Sequence, residues 1–289
     1  MSGTAIVSIQ SQLVFGCAGN NAAVPLLQRL GATVHAVPTT LLSNTPHYPT
    51  IAGGPLDPAL FEALLDPLLD RVPPAGIGAV LTGYIASPGA AAAAARFIDR
   101  VRTAHAGVLV LCDPVMGDTD TGLYVDEAVA AAIATDLVPR ADILTPNLFE
   151  ARRLTGLADG KPDAVLERLL TCRARIAAIT GIDSVDGFVT TLVGDGKGRW
   201  RVRTPKLALR PTGTGDVFSA AFLHALLHGA DTPAALERGV ETVFGLMETA
   251  HRTGARELDP GGLAPRPANA PVRFAAAPAS EDSDRGSPL

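Results

Sequence analysis

The chain has few cysteines, no run of basic residues and no long apolar stretch, and each of these absences excludes a class of protein. Its three cysteines show no CxxC spacing, which excludes a disulfide framework or a cysteine zinc site and predicts a reducing, cytoplasmic environment. Because 29 Asp and Glu outnumber 24 Lys and Arg, neither nucleic acid nor an anionic membrane is an expected partner. No stretch approaches the roughly 18 apolar residues that span a bilayer, and the first residues lack the pattern of a secretory signal.

What the chain does contain is a repeated alternation of short apolar runs with helical patterns. With 47% hydrophobic residues against 18% charged ones, it has enough apolar side chains to bury a sizeable core. The apolar runs predict strands at residues 5–9, 32–37, 79–82, 108–112, 142–145 and 176–180, and a hairpin of 188–193 with 199–202. Helices are predicted at residues 20–30, 56–71, 88–105, 162–175, 214–227 and 232–252.

This alternation is typical of an α/β protein in three α/β/α layers, with a central, mainly parallel sheet covered by helices on both faces. We expect one such domain over residues 1–259. Residues 260–289 are rich in Pro, Ala, Ser, Asp and Arg, and their composition predicts a disordered C-terminal tail. Ligands of open parallel sheets bind beyond the carboxyl ends of the strands, so the residues that follow each strand are the candidates for chemistry.

The strongest candidate is the glycine-rich segment Pro211-Thr-Gly-Thr-Gly-Asp216, which runs directly into an apolar helix. Glycines let successive backbone N–H groups point at one spot, and the helix dipole adds positive potential there. That arrangement suits a phosphoryl group in transfer, and Asp216 would accept a proton from a substrate hydroxyl. The same residues would also serve as an ordinary turn and helix cap, and the spacing alone leaves both interpretations open.

A second candidate follows the strand at residues 108–112, where Asp113 and Asp118 are a few positions apart. Two carboxylates at the end of a strand offer the oxygen ligands that a divalent cation such as Mg²⁺ prefers. The cation would then neutralise the phosphates of a nucleotide. The segment equally fits two turns, because Asp-Pro and Gly-Asp are both common turn sequences.

Two further strand ends carry polar side chains. In Thr145-Pro-Asn-Leu-Phe-Glu150, the glutamate would order a metal-bound water near Asp118 and Asn147 would reach a phosphate. A helix start explains the same residues equally well, with Thr145 as the cap, Pro146 in the first helical position and Glu150 in the first turn. After the first strand, glycines at positions 16 and 19 would admit a small ligand with the Ser11 hydroxyl as a polar contact, or would form an ordinary loop.

Taken together and in this order, the motifs resemble those of the pyridoxal kinases, the vitamin B6 kinases of the ribokinase-like superfamily. The motifs are SIQSxxxxGxAGN, SN-x-x-x-Y, LTGY, CDPVMGD, TPNxFE and GTGD, and they extend from about residue 4 to residue 252. The resemblance implies a ribokinase-like fold, a homodimer, and transfer of the γ-phosphoryl group of ATP to the 5′-hydroxymethyl group of pyridoxal. It also implies Mg²⁺ and a monovalent cation, K⁺ or Na⁺, and it favours the functional interpretation of each candidate above.

Carried onto this sequence, the resemblance assigns a role to each matching residue. It makes Asp216 the catalytic base, and it makes the amides of Gly213, Thr214 and Gly215 the site that stabilises the transferred phosphoryl group. The metal would be organised by Asp113, Asp118 and Glu150. The nucleotide and its cations would lie near Asp113, Thr145, Asn147, Glu150, Thr180, Thr204, Pro205, Lys206 and Leu207. Pyridoxal would lie near Ser11, Pro46, His47, Tyr84 and Asp216, and a flap over the nucleotide would fall in residues 181–187 or near Arg210.

The substrate loop departs from the pattern of the family. Pyridoxal kinases usually read SNHTxY there, with the threonine hydroxyl facing pyridoxal, whereas this chain reads Ser43-Asn-Thr-Pro-His-Tyr48. Pro46 stands in the place of that threonine and has no hydroxyl, so His47 or the shifted Thr45 would have to replace the contact. Leu42 stands where an aromatic residue often stacks on the pyridine ring. These changes affect the preference for one B6 vitamer more than the class of reaction.

Two other functions fit parts of the same pattern. Hydroxymethylpyrimidine kinase of thiamine synthesis shares the fold and much of the machinery, but the SIQS opening and the Val-Phe pair after GTGD favour the pyridoxal branch. A protein that binds pyridoxal or its phosphate with little turnover would explain the altered loop. The retained Asp113, Asp118 and Asp216 argue against that role, because burying carboxylates without a cation or a task is costly.

Overall fold

The apolar runs of the sequence form the strands of a central sheet. The computed structural model describes residues 5–72, 76–105, 107–171, 174–183, 186–263 and 271–279. Its strands are β1 (Ala5–Leu13), β2 (Val34–Leu42), β3 (Gly53–Pro55), β4 (Ile77–Thr82), β5 (Leu109–Cys112), β6 (Gly117–Asp118), β7 (Gly122–Leu123), β8 (Ile143–Leu144), β9 (Ile176–Asp183), β10 (Phe188–Asp195), β11 (Arg199–Pro205) and β12 (Ala277–Pro278). Among these residues, ten strands pair in the order β12-β11-β10-β9-β8-β5-β4-β1-β2-β3, and β6 pairs with β7 separately.

The middle of the sheet is parallel and its two edges are antiparallel. All pairs from β2 through β1, β4, β5 and β8 to β9 run parallel. The predicted hairpin of β10 with β11 extends one edge, and β3 turns back on β2 at the other. Nearly every residue of β1 is buried, as expected of a strand that helices cover on both faces.

Two layers of helices cover this sheet. The helices are α1 (Asn20–Arg29), α2 (Pro58–Leu65), α3 (Leu68–Arg71), α4 (Pro88–Ala104), α5 (Glu127–Ala132), α6 (Leu148–Thr155), α7 (Pro162–Thr171), α8 (Thr214–Leu227) and α9 (Thr232–Thr253). Side chains of α1, α8 and α9 share one apolar core with the sheet, and those of α2, α4, α5, α6 and α7 share the other. The predicted three-layer α/β/α architecture is therefore confirmed. None of the described helices is long and apolar enough to cross a membrane.

Some elements differ from the sequence prediction. The single helix predicted at residues 56–71 is divided into α2 and α3 at Pro67, because proline lacks the N–H that a continuing helix requires. Strands β1 and β2 continue to Leu13 and Leu42, several residues beyond the predicted ends. The sequence analysis also missed β3, the pair of β6 with β7, and α5, whose apolar patterns are too short to be distinctive.

The C-terminal segment also differs from the prediction of a disordered tail. Ala277–Pro278 forms β12, which pairs with Trp200 and Arg201 of β11. Phe274 packs edge-on against Phe244 of α9, with 4.8 Å between ring centroids. An ordered segment of this kind gains its stability from long-range contacts, which local composition does not reveal. Residues 260–263 are described as well, whereas residues 264–270 and 280–289 of the predicted tail lie outside the described residues.

Candidate active site

A buried polar cluster joins the ends of two parallel strands to the start of α8. Asp113 directly follows β5, Thr145 directly follows β8, and Ser219 lies in the second turn of α8. The Ser219 hydroxyl donates a hydrogen bond of 2.9 Å to Asp113 Oδ2 and lies 2.8 Å from the Thr145 hydroxyl. The cluster therefore marks the position at which ligands bind in open α/β sheets.

The glycine-rich segment at residues 213–216, called the glycine cradle below, turns sharply into α8. Gly213 has a φ of 84°, and a Cβ there would lie 2.4 Å from the carbonyl oxygen of Cys17, so only glycine fits. The next two residues, Thr214 and Gly215, begin the helix. Because N–H groups of a first turn have no partner inside the helix, they offer hydrogen bonds to an anion. Just before the cradle, Thr212 adds a buried hydroxyl that has no hydrogen-bond partner.

Asp216 lies in the first turn of α8, where the helix dipole favours a negative charge. Its Oδ2 accepts a hydrogen bond of 2.9 Å from the N–H of Gly19, in the loop that follows β1. Burial raises the pKa of Asp216, and the backbone N–H groups of Gly19 and of Asp216 itself oppose that rise. A carboxylate held in one orientation, with a higher proton affinity than usual, is suited to act as a general base.

Asp113 is only 5% exposed and lies in a strained loop. Its carboxylate accepts hydrogen bonds from the Ser219 hydroxyl and the Val115 N–H. Val115 has a φ of 39°, a conformation that β-branched residues rarely adopt and that is typical of functional loops. Burial, followed by the charges of Glu150 and Asp216, raises the pKa of Asp113 well above its ordinary value.

Glu150 connects the loop after β5 to the start of α6 through hydrogen bonds to both. It forms a capping box with Asn147, each backbone N–H donating to the other side chain at 3.0 Å. Its second oxygen, Oε1, accepts from the N–H groups of Met116 at 2.7 Å and Gly117 at 3.3 Å. Burial raises the pKa of Glu150 to about 7, although these backbone donors lower it. The structure confirms a capped helix start with Glu150 in the first turn, but the N-cap is Asn147 and not Thr145, and Pro146 precedes the helix. The cap also positions the loop that carries Asp113.

Asp118 also lies in this loop, where it forms the turn that the sequence allows. Its Oδ1 accepts from the N–H groups of Asp120 at 2.9 Å and Thr121 at 2.7 Å. Within the described part of the chain, no group of three or more His, Cys, Asp or Glu side chains lies close enough to hold a metal ion. The carboxylates predicted to organise Mg²⁺ therefore do not form one set of direct ligands.

The charge of the site nevertheless fits a hydrated cation. Asp113 and Glu150 are both buried, and the charges that act most strongly on their pKa values are those of other carboxylates. Among the described residues, neither carboxylate forms an ion pair with Lys or Arg. Two buried carboxylates without a basic partner leave an excess of negative charge. Mg²⁺ usually keeps several waters and needs only one or two carboxylates besides phosphate oxygens. The buried carboxylates and the unpartnered Thr212 hydroxyl are compatible with that arrangement.

The residues predicted to lie near the nucleotide form one side of the same edge. Thr180, in β9, forms an isolated parallel bridge with Asn147, the N-cap of α6. Thr204 and Pro205 end β11, where the Thr204 residue is buried and Pro205 is exposed. The structure thus brings the ends of β9 and β11 to the same edge as α6.

A network of charged side chains lies at the surface beside these strands. Lys206 Nζ is 2.6 Å from Asp183 Oδ2, and Arg210 reaches the same carboxylate at 3.4 Å. Arg210 also pairs with Asp120, from the loop after β5. Leu207, between the two basic residues, is half-buried. The segment predicted to contact adenine is therefore tied to β9 by ion pairs.

The residues predicted to contact the acceptor substrate lie at the ends of β1 and β4. Ser11 is 5% exposed, and Gly19 lies so close that a Cβ there would be 2.3 Å from Ser11 Oγ. Tyr84 follows β4 and is half-buried. Because Gly19 also donates to Asp216, Ser11 lies next to the residue that orients the candidate base.

The conformation of the substrate loop, residues 43–48, decides between His47 and Thr45 as the replacement for the hydroxyl missing at position 46. Pro46 and His47 are exposed, whereas Thr45 is only 1% exposed. The Thr45 hydroxyl lies 3.2 Å from His47 Nε2, and its methyl group lies close to Gly16. Of the two candidates to replace the missing hydroxyl at position 46, Thr45 is therefore the one that lies inside the protein.

Two functional groups of this site, the Ser219 hydroxyl and the Gly19 N–H, were not predicted from the sequence. Ser219 lies three residues after Asp216 on the same helix, so helical spacing would have indicated it. The Gly19 N–H is a backbone donor, and its partner Asp216 lies 197 positions away. No local pattern in the sequence shows such a contact.

Comparisons with known proteins identify the family of this chain. A protein-family model described as phosphomethylpyrimidine kinase matches residues 14–259. A pyridoxine/pyridoxal/pyridoxamine kinase of Bordetella avium is 43% identical, over 82% of this chain and 80% of that protein. A pyridoxal kinase PdxY of Deinococcus radiodurans is 38% identical, over 88% of this chain and 89% of that protein. The structure of a Leishmania donovani pyridoxal kinase in complex with ADP and pyridoxamine superposes with a TM-score of 0.80 at 28% identity, and the match covers 90% and 94% of the two chains.

The fold, the glycine cradle and these relatives define the class of protein, a phosphotransferase. The chain belongs to the phosphomethylpyrimidine kinase family and, within it, to the pyridoxal kinases.

Proposed function

We propose that this protein transfers the γ-phosphoryl group of ATP to the 5′-hydroxymethyl group of pyridoxal and so forms pyridoxal 5′-phosphate and ADP. The observation that carries the proposal is the position of Asp216. Its carboxylate lies in the first turn of α8 beside the glycine cradle, and the Gly19 N–H orients it. The named relatives at 38% and 43% identity support pyridoxal as the acceptor.

In the proposed reaction, pyridoxal lies against Ser11, Thr45 and Tyr84, near the exposed residues Pro46 and His47. Asp216 accepts the proton of the 5′-hydroxyl group as its oxygen attacks the γ-phosphorus atom. The bond between that phosphorus and the bridging oxygen breaks, and ADP leaves with the bonding electrons. Backbone N–H groups of the glycine cradle stabilise the negative charge on the transferred group.

We further propose that ATP lies across the ends of β8, β9 and β11. Its phosphates would lie near Thr145, Asn147 and Thr180. Its adenine would lie near the end of β11 and the residues that follow, Thr204, Pro205, Lys206 and Leu207. Asp113 and Asp118 are proposed to hold Mg²⁺ through water, while Glu150 keeps their loop in place. Mg²⁺, when bound, would neutralise charge on the phosphates. A monovalent cation, K⁺ or Na⁺, is proposed to share this excess of negative charge.

We also propose that the protein is a cytoplasmic homodimer. Four large apolar side chains in or near the ends of β1, β2 and the loop before β3 are exposed: Val14, Phe15, Leu41 and Ile51. A second copy of the chain would cover them. Sedimentation of the purified protein at several concentrations tests this part of the proposal.

The decisive experiment measures ADP release from Mg-ATP with pyridoxal, pyridoxine, pyridoxamine or hydroxymethylpyrimidine as acceptor. We expect the fastest turnover with pyridoxal. A clear preference for hydroxymethylpyrimidine would replace the proposal with a function in thiamine synthesis. Tight binding of pyridoxal without ADP release above background would indicate a binding protein instead.

A further inference from the structure

A single carboxylate from the C-terminal part of the chain connects the two loops that surround the proposed pyridoxal site. Glu257 Oε2 accepts a hydrogen bond of 2.8 Å from the N–H of Cys17, in the loop between β1 and α1. Its other oxygen, Oε1, accepts a hydrogen bond of 2.6 Å from the Tyr48 hydroxyl, in the substrate loop. His47 Nε2 lies 3.9 Å from the same oxygen.

The backbone of Glu257 is itself well anchored. α9 ends at Gly254, which adopts a left-handed conformation, and the N–H of Ala255 returns to the Ala250 carbonyl at 3.0 Å. Leu258, the next residue after Glu257, is 5% exposed and belongs to the core shared by α1, α8 and α9. The carboxylate therefore extends from a rigid turn, and only 19% of the Glu257 side chain is exposed.

The loop held through Cys17 reaches the candidate base. The carbonyl of Cys17 lies against Gly213 of the glycine cradle, and Gly19, two residues further along, donates to Asp216 Oδ2. The hydrogen bond from the Cys17 N–H to Glu257 thus helps to hold the loop whose Gly19 N–H orients Asp216.

The loop held through Tyr48 carries the acceptor contacts. Phe15 and Tyr48 pack edge-on with 5.6 Å between their ring centroids, so the two loops also touch directly. The Phe15 N–H donates to the Ser43 carbonyl at 3.0 Å. The Tyr48 bond fixes the end of a loop in which Thr45 is buried and Pro46 and His47 are exposed.

From this geometry we propose that Glu257 is a positioning residue that holds the substrate loop closed over the acceptor. This inference rests on the proposed function, because it assigns the acceptor to the space between these two loops. By accepting a hydrogen bond from each of the two loops, Glu257 keeps the acceptor site preformed. A preformed site strengthens acceptor binding, because less ordering of the loops is needed at each binding event. Glu257 touches neither reacting group, so its main effect is on the KM for the acceptor.

The test is a double-mutant cycle of Glu257→Gln and Tyr48→Phe. Glutamine keeps an oxygen acceptor but loses the charge and one of the two acceptor atoms, and phenylalanine removes only the hydroxyl. We expect each single variant to raise the KM for pyridoxal, Glu257→Gln by about tenfold and Tyr48→Phe by less, because one charged hydrogen bond is lost. The KM for ATP should stay within about twofold. In the Glu257→Gln background, Tyr48→Phe should have a smaller effect than in the unmodified protein, because it then removes only a weaker bond to a neutral amide.

Glu248→Gln is the matched control. Glu248 also lies towards the C-terminal end of α9, but it pairs with Arg273 through two bonds of 2.7 Å at the surface. We expect that variant to keep the KM values of the unmodified protein. Melting temperatures of all variants show whether a change in KM follows from a general loss of stability.

Three results would overturn the inference. They are an unchanged KM for pyridoxal in both single variants, an equal rise in the KM for both substrates, or strictly additive effects in the double variant. If Glu257→Gln does not fold, the Tyr48→Phe variant alone tests the hydrogen bond between the substrate loop and Glu257. The unmodified protein is assayed first with each acceptor, so failure to phosphorylate pyridoxal counts against the proposed function. The cycle is then measured on the acceptor that the protein does use.

Discussion

The two sides of the candidate site are held in different ways. On the phosphoryl-transfer side, Asp113 and Asp216 lie at a strand end and in the first turn of a helix, so regular secondary structure sets their positions. On the acceptor side, the substrate loop has exposed residues, and Glu257 supports it by accepting a hydrogen bond from Tyr48, 209 positions away in the sequence. The first side is therefore positioned mainly by regular secondary structure, with the Gly19 N–H as a distant donor to Asp216, whereas the second depends on contacts between distant side chains.

This difference explains which properties of the enzyme are easiest to change. The transfer side has backbone N–H groups as its main donors, and backbone groups are unaffected by most substitutions. The acceptor side depends on individual side chains at Thr45, Tyr48 and Glu257. Substitutions there are expected to alter the choice of acceptor while the reaction class stays the same. The departure of this chain from the usual SNHTxY loop is of this kind.

The largest expected effect is on the transfer side, in the Asp216→Asn variant. Asparagine keeps an oxygen that can accept the Gly19 N–H, so the loop should stay in place while the proton acceptor is lost. We expect turnover to fall by about 10²- to 10⁴-fold with nucleotide binding retained. Steady-state ADP release and calorimetric titration with an ATP analogue measure the two properties. Near-normal turnover would exclude Asp216 as the base.

A second comparison tests the close approach of the two loops at the glycine cradle. Gly213 and Gly229 both have a φ of 84°, but only Gly213 has a backbone atom within reach of an added Cβ. Gly229→Ala should lose about 1–2 kcal/mol of stability, because alanine is strained in this conformation, and Gly213→Ala should lose more, because its Cβ also clashes with the Cys17 carbonyl. Only Gly213→Ala should also lose turnover, by about 10²-fold, since the cradle must move.

Thermal unfolding and kcat measured on both alanine variants separate strain from displacement. Equal turnover in the two variants would show that the contact of Gly213 with Cys17 has no part in catalysis.

The smallest expected effect is on the acceptor side, in the Pro46→Thr variant. Pro46 is exposed, so restoring the threonine that the family usually has should change the KM for pyridoxal by less than about twofold. Thr45→Val should raise that KM by about tenfold, because it removes a buried hydroxyl. The KM of both variants for pyridoxal is the measurement. A sharply lower KM in Pro46→Thr would show instead that the missing hydroxyl at position 46 matters.

The sequence predicts most of the transfer side, because its residues follow strands or begin helices. The positions of Asp113, Thr145 and Asp216 followed from that rule alone. The turns and the capped helix start proposed as alternatives are also present, with Asn147 in place of Thr145 as the N-cap, so Glu150 serves as part of a helix cap and as a buried charge of the site at once.

The remaining features could not be predicted, because they depend on contacts between distant parts of the chain. Neither the partner of Tyr48 nor the donor to Asp216 leaves a periodic pattern in the sequence. The exposure of Pro46 and the burial of Thr45 depend on the path of one loop. The break at Pro67, by contrast, was available from the sequence, since proline interrupts a helix for purely local reasons.

The short strand β12 has a consequence for the colloidal behaviour of the protein. An open strand edge carries unpaired N–H and C=O groups that recruit strands of other molecules. β12 covers part of the β11 edge at Trp200 and Arg201. A chain shortened at residue 259, where the composition changes, would uncover that edge together with the Phe244 side chain. We therefore expect removal of the terminal segment to increase aggregation of the protein.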